Sequence, residues 1–186
     1  MKEPTFLHDD KVILRSFAKD DIPIWASWFN DYEVTKYMNK GMFPNSLSGQ
    51  KEYLEKLHLD KSTIQLAVIN KENGVLAGIV ALHKLNHIHR TGDISILIGD
   101  RKELRKSLAT HSVGLLVRHA FYKLNLNKLT AGMWSNNEGS EKCFIKNGFV
   151  LEGRKIQQYN YKMEYIDELN YGLLRSNWRK TLKNDE

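Results

Sequence analysis

The run from Arg105 to Gly153 constrains the fold of this 186-residue chain more than any other segment. RKSLATHSVGLLVRHAFYKLNLNKLTAGMWSNNEGSEKCFIKNGFVLEG reads, in order, as basic turn, helix, strand, Asn-rich loop, short helix and strand. Apolar residues at Leu108, Ala109, Val113, Leu116, Val117, Ala120, Phe121 and Leu124 follow the spacing of one buried helix face. Such a helix packs on a sheet and points its first turn outward. The free N–H groups of that turn, with Arg105 and Lys106 before it and hydroxyls at Ser107 and Thr110, predict an anion site of the kind that holds a phosphorylated cofactor.

Periodicity and punctuation lay out the remainder. Lys11 to Ser16 alternates as a strand, and Asp20 or Asp21 can cap a helix with Pro23 near its first turn, carrying Ile24, Trp25, Trp28 and Phe29. After a turn-rich break from Gly41 to Asn45, Ser48 is the expected cap of a second helix through Tyr53, Leu54 and Leu57. Strands are predicted over 63–69 and 75–83 about an Asn73-Gly74 turn, then over 93–98, with Ile94, Ile96 and Ile98 on one face. Segments 129–134 and 149–151 are expected to complete the central strands, and 154–161 with 165–174 to form a closing hairpin. Strands interleaved with helices and hairpins predict a mixed sheet in an α/β layer structure, as a single domain over 1–186.

Composition narrows the setting. With 41% hydrophobic and 27% charged residues the chain can bury a core without metals or disulfides, and one cysteine, Cys143, excludes an intramolecular disulfide and fits a reducing compartment. No apolar run approaches the ~20 residues of a membrane span, so a cytoplasmic protein without a membrane partner is expected. The net charge of +6 comes from 28 basic residues scattered among 22 acidic ones. Only the end, RSNWRKTLKNDE, forms a basic patch, read first as a solvated terminal face; an anionic cofactor is a second reason for positive charge beside nucleic acid, and the charge balance alone does not choose between those partners.

The helix ending HAFYKLNLNKL, the strand TAGMW, the loop NNEGS and the ending KNGFVLEGR resemble the acetyl-CoA-binding half of the GCN5-related N-acetyltransferases, or GNAT family. The branch most resembled includes the ribosomal-protein N-terminal acetyltransferases. VILRSFAKDDIPIWASWFNDYEVTKYM resembles the family's opening strand and helix, and GVLAGIVALHKLNHIHRTGDISILIGD its central hairpin. The resemblance runs from about Lys11 to Trp178. It implies a GNAT fold, a mixed central β-sheet with helices on both faces and two splayed central strands that hold the pantetheine of acetyl-CoA.

The resemblance also implies a chemistry: an amine attacks the thioester of acetyl-CoA, a co-substrate. Backbone at Ile96, Leu97 and Ile98 would pair with pantetheine and stabilise the developing oxyanion. The turn Arg105, Lys106, Ser107, Leu108, Ala109 and Thr110 would hold pyrophosphate, although the family's Gln or Arg and its first Gly are replaced by Leu104 and Ser107. If Ser107 takes a positive φ, its Cβ costs roughly 1 kcal/mol. Asp93 stands where many members carry the carboxylate that removes the amine's proton, and an Asp at a strand entry can equally be held by backbone N–H groups. Phe144 replaces the tyrosine that commonly protonates the leaving thiolate, and it is expected to pack beside the cofactor. Asn137 would position pantetheine and Ser140 would touch the thiol, and either can also cap the following helix.

For the acceptor, Glu33, Tyr37 and Phe43 are the expected wall, and Met163, where relatives often have a turn glycine, predicts a reshaped closing hairpin. His83, His87 and His89 lack a fourth ligand at useful spacing, so no metal site is expected. The leading function is transfer of acetyl to a primary amine, on a protein N-terminus or an amino sugar, by a monomer or homodimer. The alternative is a CoA-binding regulatory domain with a degenerate catalytic site.

Overall fold

The computed structural model describes residues 3–178. From Arg179 on, the basic end read from the sequence lies outside the described residues. Eight strands form one sheet: β1 (Thr5–His8), β2 (Val12–Arg15), β3 (Ile64–Asn70), β4 (Leu76–Asn86), β5 (Thr91–Ile98), β6 (Lys128–Trp134), β7 (Val150–Tyr161) and β8 (Glu164–Leu174). Their order is β1-β2-β3-β4-β5-β6-β8-β7. Every pairing is antiparallel except β5 with β6. The helices are α1 (Ile22–Asn30), α2 (Tyr32–Thr35), α3 (Leu47–Leu57), α4 (Leu108–Tyr122) and α5 (Glu138–Lys146). No helix among the described residues is long and apolar enough to cross a membrane.

Helices cover both faces, which explains why β3 and β4 read as nearly continuous apolar runs. Along β3, Leu66 and Val68 join the cluster beneath α4 with Val113, Leu116, Val117 and Phe121, whereas Ala67 and Ile69 join Phe17, Trp25, Trp28 and Phe29 beneath α1. Ile94, Ile96 and Ile98 of β5 all pack with the α4 cluster, as their alternation requires. Phe17 stacks on Trp25 at 4.5 Å. Truncating a fully buried ring of this kind costs about 3–5 kcal/mol.

Local signals place most boundaries. Asp21 opens α1 with Pro23 in its first turn, and its carboxylate accepts from the Ala18 N–H at 2.7 Å and pairs with both Arg15 nitrogens at 2.6 and 3.0 Å. Ser46, not Ser48, caps α3: its backbone is extended and its hydroxyl accepts from the Gly49 N–H at 3.0 Å. The Asn73-Gly74 turn forms as expected, with Gly74 at φ +72°.

One strand was not foreseen and one expectation needs correction. β1 lacks apolar alternation, and it exists because β2 supplies an antiparallel partner. Residues 149–151 make no central strand of their own. They lead into β7, which lies at the sheet edge because β8 inserts between it and β6. The β7–β8 turn places Lys162 and Met163 both at positive φ, 51° and 68°, the conformation that Asn-Gly pairs normally supply.

Candidate active site

The sheet opens at one point. β5 and β6 pair only at Thr91 with Lys128, Gly92 with Leu129, and Asp93 with Thr130. Beyond that, Ile94 to Ile98 keep only their β4 neighbours and Ala131 to Trp134 only those on β8. The facing edges of the two strands therefore present unpaired backbone donors and acceptors to a wedge, where an extended amide chain can add like a short strand. Ile96, Leu97 and Ile98 lie along this wedge.

The start of α4 leaves backbone donors free. Arg105 and Ser107 are both left-handed, at φ 64° and 62°, and they turn the chain so that Ser107 precedes the first helical turn without using its hydroxyl as a cap. Its carbonyl accepts from the His111 N–H, which leaves the N–H groups of Leu108, Ala109 and Thr110 without intrahelical partners. The two cations before the helix differ. Lys106 is held by Glu103 at 2.9 Å, and Glu103 also accepts from Asn70 and Asn73. Burial pushes the Glu103 carboxyl up, but the bonds from Lys106, Asn70 and Asn73 outweigh it and hold it below the usual range. Arg105 is exposed and forms no ion pair among the described residues. The Thr110 hydroxyl is turned to the Cys143 thiol, whose pKa burial pushes up to about 11. Leu108 is buried in the core, so it offers backbone alone.

At α5, Asn137 caps the helix by accepting from the Ser140 N–H at 3.2 Å, while the Ser140 hydroxyl makes no cap. The preceding Asn136 is different: its side-chain oxygen is buried without a partner among the described residues. Sequence reading passed over Asn136 because two adjacent asparagines look alike until one is consumed by capping. Phe144 requires a correction. It is 2% exposed in the core and meets Phe149 edge-on at 5.1 Å, so it supports α5 from beneath and shows little surface to a cofactor.

Asp93 sits at the apex of the wedge. Its carboxylate is 3.4 Å from the Thr130 hydroxyl and 3.8 Å from the Lys84 ammonium. Burial pushes its pKa above the ordinary carboxylate range, against the opposing pull of Lys84, His83 and Thr130. His83 lies directly across on β4, where a bulge with Lys84 at φ 51° interrupts the ladder. Its Nε2 is 2.9 Å from the Ser95 hydroxyl, and burial lowers its pKa. In the sequence His83 reads only as one of three hairpin histidines. The register is what separates it from His87 and His89.

A cavity of about 410 Å³ opens beside this point, lined by Trp25, Phe29, Lys40, Tyr53, Gln65 and His83, with Ser95, Ile96 and Leu97 as its β5 floor. Of the expected acceptor wall, none of Glu33, Tyr37 and Phe43 lines it. Glu33 is exposed and pairs with Lys36 at 3.0 Å, and Phe43 is 81% exposed. Tyr37 instead joins an aromatic cluster, stacked on Tyr161 at 5.8 Å and edge-on to Trp134, which itself stacks on Tyr159 at 4.8 Å. That cluster joins α2 to the β7–β8 hairpin at the far end of β6.

A family model described as an acetyltransferase (GNAT) domain matches residues 11–150. The chain is 26% identical over 159 residues to the uncharacterized N-acetyltransferase YoaA of Bacillus subtilis (strain 168), covering 84% of this chain and 88% of that one. It is 27% identical over 154 residues to spermidine N(1)-acetyltransferase of Escherichia coli (strain K12), 83% and 81% of the two chains. Among solved structures, spermidine N-acetyltransferase from Vibrio cholerae, in complex with CoA and spermine, superposes with a TM-score of 0.83 at 22% identity, over 92% of this chain and 99% of that one.

Proposed function

Because this chain belongs to the GNAT acetyltransferase family, we propose that its wedge and cavity serve one reaction, acetyl transfer from acetyl-CoA to a primary amine, with Asp93 as the proton acceptor. The observation that carries the reading is the position of Asp93, at the last β5–β6 pair and on the sheet face that carries the cavity.

In this reading the pyrophosphate of acetyl-CoA lies at the start of α4, on the N–H groups of Leu108, Ala109 and Thr110 and near Arg105. Lys106 serves that turn through Glu103, fixing its shape. Pantetheine lies between β5 and β6, where the free oxygen of Asn136 accepts from one of its amides. The amine nitrogen enters from the cavity and forms a bond to the thioester carbonyl carbon. The carbonyl oxygen becomes negative and is met by a backbone N–H of the Ile96–Ile98 edge. The C–S bond breaks as the nitrogen gives its surplus proton to water, and the thiolate takes a proton back from that water, since Phe144 has none to give.

The ammonium must first lose a proton. A carboxylate whose pKa is raised by burial is a better proton acceptor than an ordinary one. His83 and Ser95 line the cavity and bond to each other, and together they can pass that proton toward solvent.

Protein N-termini and amino sugars are the acceptors in this reading, with a place in the family beside the ribosomal-protein N-terminal acetyltransferases. The words HAFYKLNLNKL and TAGMW support that branch. Calorimetric titration of acetyl-CoA, followed by CoA release with a panel of amines, tests the assignment. Binding with amine-dependent release, lost in Asp93→Asn, is the expected result. Binding without release from any amine would instead establish a CoA-binding regulatory domain.

A further inference from the structure

The polar lining of the acceptor cavity is one-sided. No Asp or Glu lines it, and its single formal cation is Lys40. The Lys40 ammonium lies 5.6 Å from the Phe29 ring centre and 5.7 Å from that of Tyr53, with no ion pair among the described residues. Two further donors belong to side chains that touch Tyr53 and line the cavity. The Trp25 indole meets Tyr53 edge-on at 5.5 Å, and its N–H is buried without a partner in a residue only 1% exposed. Gln65 accepts from the Tyr53 hydroxyl at 3.2 Å through its oxygen, which turns its NH₂ away, and that nitrogen is also buried and unpartnered.

Neighbouring polar groups do not neutralise this set. Asn45 spends its NH₂ on the Phe29 and Phe43 carbonyls and its oxygen on Gln50, and the Ser46 hydroxyl caps α3. An unmatched buried donor costs about 1–3 kcal/mol, and two of them beside an unpaired ammonium form a site that an oxyanion would satisfy. A second cation there would meet Lys40 and find no acceptor with charge.

The opposite end of the acceptor face has the other sign. Asp93 and Glu168 carry carboxylates there, each paired among the described residues only with an exposed lysine, Lys84 at 3.8 Å and Lys155 at 3.0 Å. An amine drawn to the Asp93 end and an anion drawn to the Lys40 end describe one molecule with both.

Building on the acetyltransferase reading above, we infer that Lys40, Gln65 and Trp25 form an acceptor subsite for an oxyanionic group, a carboxylate or phosphate carried by the amine substrate. This sets the chain apart in substrate class from enzymes whose names specify spermidine.

The test compares primary amines that differ at the far end: β-alanine, O-phosphoethanolamine, propylamine, 1,3-diaminopropane and spermidine, each assayed by CoA release with wild type and Lys40→Glu. Lys40 is exposed, so the substitution leaves the core intact. The expected result is a preference of about tenfold or more in kcat/KM for the anionic amines, the worth of one charged hydrogen bond, inverted by Lys40→Glu. β-Alanine against O-phosphoethanolamine identifies which oxyanion is preferred. Equal or faster turnover of diaminopropane or spermidine by wild type would overturn the subsite while leaving the acetyltransferase reading in place. If no amine releases CoA, that reading fails, and titration of inorganic phosphate against the Trp25 indole N–H resonance decides the subsite separately. A shift abolished by Lys40→Glu supports it, and an unmoved resonance overturns it.

Discussion

Asp93 and Thr130 are the last residues that β5 and β6 pair, and the Thr130 hydroxyl lies 3.4 Å from the Asp93 carboxylate. The same pair therefore ends the ladder and holds the carboxylate at the apex of the wedge. Thr130 orients Asp93 without adding charge. The position leaves Asp93 partly desolvated, with Lys84 beyond it as the nearest cation at 3.8 Å.

Asp93→Asn is expected to lower kcat/KM for any accepted amine by about 10²-fold or more, the usual contribution of a positioned base. In the wild type the acid limb of the kcat/KM profile rises at a pH above the ordinary carboxylate range, because burial raises the Asp93 pKa. That limb disappears in the variant. Stability moves the other way. A carboxyl with a raised folded pKa contributes stability below its unfolded pKa and loses it as pH rises through the folded value. Asp93→Asn should thus raise Tm near neutrality and leave it unchanged in acid, which thermal melts at two pH values would show.

The wedge was legible in the sequence because strand period and family words agree over TGDISILIG and NKLTAGMW, and they place Asp93 and the Ile96–Ile98 edge without coordinates. The start of α4 was legible too, from RKSLAT ahead of a periodic apolar run. What escaped was set by long-range partners. Glu103 is 33 residues from Asn70 in the chain, so nothing local marks the network that occupies Lys106. Lys40 and Gln65 face one ring from different elements, and Trp25 reads as core, which it is, until its indole N–H is found without a partner. Glu33, Tyr37 and Phe43 stay outside the cavity for the same reason: proximity in sequence to α1 does not fix which side chains turn inward.

Ser107 should respond oppositely to two substitutions. Its φ of 62° strains any residue with a Cβ, so Ser107→Gly is expected to stabilise the fold by roughly 1 kcal/mol and preserve or tighten acetyl-CoA binding. Ser107→Glu keeps the strain and sets a carboxylate against the phosphate site, and binding should weaken by at least about tenfold. Calorimetry on both variants reads the result. Equal affinities would place the pyrophosphate elsewhere.

Glu103 predicts an acid sensitivity. Its folded pKa is depressed, so its contribution to stability is present above the unfolded value and lost as pH falls through the folded one. Asn70 and Asn73 donate to different Glu103 oxygens, so Glu103→Gln keeps at most one of those bonds, sets its NH₂ against the other amide and strands Lys106. It should cost about 1–3 kcal/mol at pH 7 and much less at pH 3. Denaturant melts at the two pH values test this, and loss of acetyl-CoA affinity in the same variant would show that Glu103 shapes the turn before α4.

Gly99 tests whether the end of β5 must stay in place. Its N–H donates to the Ala77 carbonyl at 2.9 Å, and a Cβ added there would fall within the Trp28 ring. Trp28 is rigid and 6% exposed, so the strand end rather than the ring must yield. Overpacking of this kind costs about 1–3 kcal/mol. The displaced backbone is the Ile96–Ile98 edge itself, so Gly99→Ala should raise the KM for acetyl-CoA more than that for the amine. A Trp28→Leu change in the same chain removes the obstructing ring. Recovery of the acetyl-CoA KM in the double variant would tie the defect to strand position. A KM unchanged by Gly99→Ala would mean that this edge does not hold pantetheine.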